Sequence, residues 1–213
     1  MTEIKICGLS TPETLDAAVT AGATHVGFVF FAKSPRHLQA EAAAALATRV
    51  PTGVGKVGVF VDPDDALLAH VLAQVRLDVV QVHDVHEPAR AAAISARHGL
   101  PVWVALGVST SADIAGARRY AGAASRLLFD AKTPKGADLP GGMGLRFDWR
   151  LLEAAQGIGL PWGLAGGLDP MNVAGAISVS GAALVDVSSG VEDAPGVKSV
   201  QKIRAFVEAV RAA

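Results

Sequence analysis

Three side chains capable of acid–base chemistry stand in or at the ends of apolar runs: Cys7 after Ile6, Asp130 after Leu127-Leu128-Phe129, and Asp186 between Val185 and Val187. A thiol acts as a base only as its anion, whereas a carboxyl can give or take a proton according to its surroundings. Each has a plainer explanation. Cysteine is often an inert core residue, and a carboxylate after a strand often caps the next loop. His83 and His86 invite a metal reading, but no cysteine or third histidine stands in convincing ligand spacing, so no metal is expected. Two glycine-bearing turns, Ala165-Gly166-Gly167 and Ser188-Ser189-Gly190, suit a different task. Bare backbone N–H groups can approach a phosphate closely there and need little formal positive charge.

These residues must be held by a scaffold, and the chain offers a regular one. Apolar, often β-branched runs fall at Glu3 to Cys7, His25 to Phe30, Lys56 to Val61, Val79 to His83, Pro101 to Val108, Arg126 to Asp130, Pro161 to Ala165 and Ala183 to Ser188. Helical segments separate them and follow the last. Ser10 with Glu13 reads as a capping box, and Asp62-Pro63 and Asp169-Pro170 read as helix starts, while Ala21-Gly22 and His98-Gly99 read as stops. Eight units at roughly 27 residues each predict an α/β fold, a closed (βα)8 TIM barrel, with a doubly wound open sheet as the alternative. No linker or composition shift interrupts residues 1–213, so a single domain is expected.

Alternation along the strands places Lys5 and Cys7 on one face, Leu128 and Asp130 on one face, Gln81 with His83, and Asp186 with Ser188. If that parity faces the lumen, the polar groups gather at the carboxyl ends of the strands, where barrels of this kind carry their sites. The 213 residues are 51% apolar and 18% charged with a net charge of −1, which gives a compact core but no field to hold nucleic acid. Nor does any apolar run suit a membrane span. The lone cysteine rules out a disulfide within the chain and fits a reducing, cytoplasmic setting.

In order along the chain, Lys5-Ile6-Cys7-Gly8-Leu9, Gly27-Phe28-Val29-Phe30, Ser34-Pro35-Arg36, Gly58-Val59-Phe60-Val61, Gln81-Val82-His83, Leu128-Phe129-Asp130, Leu164-Ala165-Gly166-Gly167-Leu168 and Val185-Asp186-Val187-Ser188-Ser189-Gly190-Val191-Glu192 resemble the phosphoribosylanthranilate isomerases of tryptophan biosynthesis. Single motifs here are weak, but the ordered set spans the whole chain. The resemblance implies an Amadori rearrangement of N-(5-phosphoribosyl)anthranilate to 1-(2-carboxyphenylamino)-1-deoxyribulose 5-phosphate without cofactor. It puts the general base on Cys7, the general acid on Asp130, substrate contacts on Arg36, His83 and Asp186, and the phosphate on Gly166, Gly167, Ser188, Ser189 and Gly190. The expected partner is a small phosphorylated substrate, and the protein is expected to be a monomer or homodimer.

That chemistry asks for opposite protonation states. A thiol near its ordinary value of about 8.5 is only a few per cent ionised at pH 7, so the Cys7 site is expected to favour the anion and the Asp130 site the acid. Two departures from the family pattern stand out. Asp84 takes the place of a usual glycine after Gln81-Val82-His83, which predicts a positive φ or an altered turn, and Met143 replaces a small hydroxyl residue in Gly141-Gly142-Met143-Gly144.

Overall fold

The structure is a computed structural model that describes residues 1–133, 141–142 and 144–213; Met143 lies outside them. Eight parallel strands close into a barrel in chain order: β1 Glu3–Cys7, β2 His25–Phe30, β3 Gly55–Val61, β4 Val79–His83, β5 Val102–Val108, β6 Arg126–Ala131, β7 Trp162–Leu164 and β8 Leu184–Val187. The open-sheet alternative is thereby excluded. Closure is made where β1 pairs with β8, with Lys5 opposite Asp186.

The two strand parities separate as expected. Cys7, Val29, Val57, Val59, Trp103 and Leu128 share one buried cluster inside the ring with Val79, Ala105 and Leu184. Ile4, Ile6, Val26, Phe28, Phe129 and Val185 belong to the larger cluster that packs under the helices. At the amino end of the lumen Trp103 is flanked edge-on by His25, and the Arg126 guanidinium lies over its indole ring. This end is filled by side chains, and the cavity lies at the other. Gly27 helps to set that space: a Cβ at this position would stand 3.0 Å from Cys7 Sγ.

Helices α1 Pro12–Ala21, α2 Ala40–Ala47, α3 Asp65–Gln74, α4 Pro88–His98, α5 Ser111–Gly116, α6 Val173–Ser180 and α7 Val200–Arg211 surround the ring. Gly22 (φ 103°) and Gly99 (φ 66°) end α1 and α4 in the left-handed region, as the sequence predicts. The starts differ. Thr11, not Ser10, caps α1 by accepting the Thr14 N–H at 3.3 Å, with Pro12 in the first turn. Asp64 caps α3, because Asp62 is spent on turning the chain out of β3 at φ 39°. Asn172 occupies the cap position of α6, and Asp169-Pro170 forms the turn before it.

Between β6 and β7 the helical segment is a 3₁₀ stretch, Trp149–Ala155. After β8 the chain makes a 3₁₀ turn, Ser189–Val191, and then an antiparallel pair that the sequence reading did not anticipate, β9 Glu192–Ala194 with β10 Val197–Lys198.

Asp84 adopts φ 56°, so the turn keeps the backbone that a glycine would favour. Asp tolerates this region better than a β-branched residue. Asp84→Val is therefore expected to lower unfolding stability by about 1–2 kcal/mol and Asp84→Gly by less than that. Urea unfolding of the two variants checks the ordering.

Candidate active site at the carboxyl end of the barrel

The carboxyl ends of the strands and the loops after them surround a cavity with about 700 Å³ of space, part of it open to solvent. Cys7, Arg36, His83, Asp130, Asp186, Gly166, Gly167, Ser188 and Ser189 all line it, so the side chains and turns singled out in the sequence converge. Gly190 does not. It faces an adjoining groove, and a Cβ there would meet the Leu168 carbonyl oxygen at 1.9 Å, so backbone packing accounts for this glycine.

Beneath the cavity Lys5 is completely buried and donates to Asp186 Oδ2 at 2.8 Å, across the seam that closes the ring. The other carboxylate oxygen, Asp186 Oδ1, is buried without a partner among the described residues. Since Asp186 lines the cavity, this oxygen is an acceptor waiting for a donor. Cys7 departs from expectation, chiefly because it is buried. Burial pushes the thiol up, and although Lys5 and Lys198 pull it down, Asp186 works against them. Lys5 spends much of its charge on its own partner, so burial prevails and the site does not favour the thiolate.

Asp130 behaves as expected of an acid. Burial raises its carboxyl from 3.8 to about 7, assisted by nearby Asp186 and opposed by the Ala131 N–H and by Lys5. Oδ1 accepts that N–H at 2.7 Å. Two glycines lie against the carboxyl: a Cβ at Gly166 would stand 2.5 Å from Oδ1, and one at Gly141 2.6 Å from Oδ2. A proton held this strongly has a cost in stability. The contribution of Asp130 is fully present below about pH 4, falls as the pH climbs, and is lost once past about 7. Asp130→Asn is thus expected to be more stable than the parent at pH 8, by up to about 4 kcal/mol, with the difference vanishing near pH 4. Thermal or urea unfolding at the two pH values tests this.

His83 is held neutral. Burial, with Lys5 adding to it, lowers the imidazole to about 4, and Nε2 lies 3.0 Å from the Gln81 amide nitrogen. No three His, Cys, Asp or Glu side chains among the described residues gather into a metal site.

Arg36 is no exposed loop charge: it is 6% exposed. Its Nε and Nη2 donate to the two oxygens of Glu192 at 2.7 and 2.8 Å, and Nη2 also donates to the Gly142 carbonyl at 3.2 Å. Burial pushes Glu192 up, but Arg36 and Lys198 more than offset it and hold the carboxyl below its usual range. Across the cavity, Gly166 and Gly167 adopt φ 83° and 61°, and among the described residues their N–H groups have no acceptor. Successive N–H groups without a protein acceptor, in a turn that only glycine adopts at ease, are the kind of backbone that suits an anion. The Ser188 hydroxyl donates to the Cys7 carbonyl at 3.2 Å, which ties the turn after β8 to the strand that carries the thiol.

Three residues were missed as parts of this site. Lys5 was visible only as a lumen-facing neighbour of Cys7, and Glu192 only as the end of a motif. Lys198 gave no signal, because it arrives through the unanticipated hairpin.

Fold and site together define a (βα)8 barrel with a cavity at the carboxyl ends of its strands, lined by a thiol, a carboxyl that burial raises to about 7 and a glycine turn. Residues 4–209 match the family model for N-(5'phosphoribosyl)anthranilate (PRA) isomerase, and the chain belongs to that family. An N-(5'-phosphoribosyl)anthranilate isomerase of Paramagnetospirillum magneticum is 54% identical over 209 residues, covering 98% of this chain and 97% of that one. The crystal structure of the phosphoribosyl anthranilate isomerase of Thermotoga maritima superposes with a TM-score of 0.90 at 36% identity, covering both chains completely. Another solved phosphoribosyl anthranilate isomerase, in complex with reduced 1-(o-carboxyphenylamino)-1-deoxyribulose 5-phosphate, gives a TM-score of 0.87 at 33% identity, again with full coverage of both.

Proposed function

We propose that the chain converts N-(5'-phosphoribosyl)anthranilate into 1-(2-carboxyphenylamino)-1-deoxyribulose 5-phosphate, the isomerisation step of tryptophan biosynthesis, with Asp130 as general acid and Cys7 as general base. Family membership supports the reaction. The observation that carries the residue roles is the convergence of an acid-competent carboxyl from β6 and a thiol from β1 on one cavity that also holds the Gly166-Gly167 turn.

Asp130 gives its proton to the furanose ring oxygen as the C1–O bond breaks, and the anilino nitrogen lone pair forms the C1=N bond of an iminium. The positive charge acidifies the hydrogen on C2. Cys7, as thiolate, takes that proton, the C2–H electron pair becomes the C1=C2 bond of an enolamine, and the C1=N π pair returns to the nitrogen. Loss of the C2 hydroxyl proton and gain of one at C1 then give the ketone, with no net change of oxidation state. Asp186 Oδ1 accepts from the substrate's amino group or a ribose hydroxyl, and neutral His83 contacts the substrate from β4. Arg36 receives the anthranilate carboxylate. The phosphate rests on Gly166, Gly167, Ser188 and Ser189.

The whole chain is read as one domain acting in the cytoplasm as a monomer or homodimer on this small phosphorylated substrate. No helix of the described residues is long and apolar enough to cross a membrane. The test is to follow the fluorescence of the anthranilate substrate on adding the protein, with and without a chelator. Consumption that ignores the chelator is expected. Failure to consume substrate, or loss of consumption with chelator, overturns the proposal.

A further inference from the structure

Arg36, Glu192 and Lys198 form a buried row of three charges that runs from the mouth of the cavity to the turn after β8. Glu192 sits in the middle. It takes Arg36 Nε and Nη2 on its two oxygens, and Lys198 Nζ reaches Oε1 at 2.5 Å. Lys198 continues the row by donating to the Ser188 carbonyl at 3.1 Å and lying 3.3 Å from the Ser188 hydroxyl. The side chains of Arg36, Glu192 and Lys198 are 7, 4 and 1% exposed, so solvent contributes little to holding them.

Two consequences follow from this arrangement. With Nε and Nη2 engaged by Glu192, the guanidinium cannot rotate, and Nη1 is the nitrogen left for another acceptor. Two cations and one anion also leave the row with one net positive charge, facing a cavity whose substrate carries a carboxylate and a phosphate. Removing Glu192 would free the guanidinium to turn and set two buried cations against each other. Removing Lys198 would loosen both the carboxylate that holds Arg36 and the backbone of the Ser188 turn.

We propose that Glu192 and Lys198 are positioning residues: Glu192 aims Arg36 at the substrate carboxylate, and Lys198 ties that grip to the phosphate-holding turn, so the two anionic ends of the substrate are held at a fixed separation. This rests on the assignment of Arg36 to the substrate carboxylate. Neither residue touches the reacting atoms. Their loss therefore falls on binding rather than on the chemical step.

The experiment measures KM and kcat with substrate, together with the binding of two probes, anthranilate for the carboxylate end and inorganic phosphate for the other. Glu192→Gln is expected to raise KM and the anthranilate Kd about tenfold, with kcat and phosphate binding unchanged within about threefold. Glu192→Asp, which keeps the charge but is one methylene short, is expected to recover part of the loss. Lys198→Met weakens both probes. In the background of Arg36→Met, Glu192→Gln adds no further loss of anthranilate binding, since its action passes through the arginine.

Wild-type KM and anthranilate binding in a folded Glu192→Gln protein overturn the proposal, as does equal loss with and without Arg36. Should Glu192→Gln fail to fold, Lys198→Met decides: weakening of both probes supports the linkage, and weakening of neither overturns it. If Arg36→Met alone leaves anthranilate binding unchanged, it is the assignment of Arg36 that fails.

Discussion

With alanine at position 7, turnover falls by about 10²- to 10⁴-fold, the range a positioned general base contributes, while binding of inorganic phosphate is retained. Proton removal at C2 needs a basic atom at the cavity wall. His83 lies against Gln81, Asp130 is assigned as the acid, and Asp186, held by Lys5 through Oδ2, is assigned to accept from the substrate through Oδ1. The resemblance to the family puts the base on Cys7. Serine does not rescue, because a hydroxyl gives its anion far less readily than a thiol. Alanine removes one sulfur atom from a lumen otherwise packed by Val29, Val57, Val59, Trp103 and Leu128, so the protein folds and the loss is chemical. Steady-state rates with the fluorescent substrate, beside circular dichroism of the variant, make the test. Near-normal turnover from Cys7→Ala would remove the thiol from the mechanism.

Asp130→Asn loses activity on the same scale, about 10²- to 10⁴-fold, while gaining stability at alkaline pH. This opposite movement of rate and stability distinguishes a residue held for chemistry from one held for packing. An amide fills the same space, keeps the oxygen that accepts the Ala131 N–H, and has no proton to give the ring oxygen. The double variant Cys7→Ala/Asp130→Asn is expected to be little worse than either alone, since the two act in one reaction sequence.

The pH profile follows from the same pair. The acid titrates at about 7 and the thiol sits higher, so the productive combination, carboxyl protonated and thiol ionised, is a minority at every pH. kcat/KM rises to about pH 7, holds level, and declines once the thiol is fully ionised, with the two breaks belonging to the coupled pair. A profile that falls above pH 5 would contradict the assignment of the acid.

How much of this was legible in the sequence depended on the range of the interactions. The barrel could be read because each βα unit announces itself locally, and strands β1, β2 and β4 begin and end where their apolar runs do. Alternation then placed Cys7, Asp130 and Asp186 on the inner face. Caps were read one to three positions off at Ser10, Asp62 and Asp169, because several Ser, Thr, Asp and Asn side chains stand close together there. The protonation of Cys7 was beyond reach. It turns first on burial of the thiol and then on the charges of Lys5 and Asp186, which lie 181 residues apart in the chain. Arg36 was assigned from family likeness, but its burial against Glu192 depends on a hairpin that begins 156 residues later.

The seam between β1 and β8 has a consequence for how the protein is made. Cys7 is made on β1, yet the wall beside it is completed only by β8, so the site does not exist until Leu184–Val187 has been synthesised. A nascent chain stalled before Leu184 carries Cys7, Arg36 and Asp130 but lacks Asp186 and Ser188. Circular permutants that join the original termini and begin between β4 and β5 would make this seam a continuous local unit, and competence would then arrive at a different point in translation.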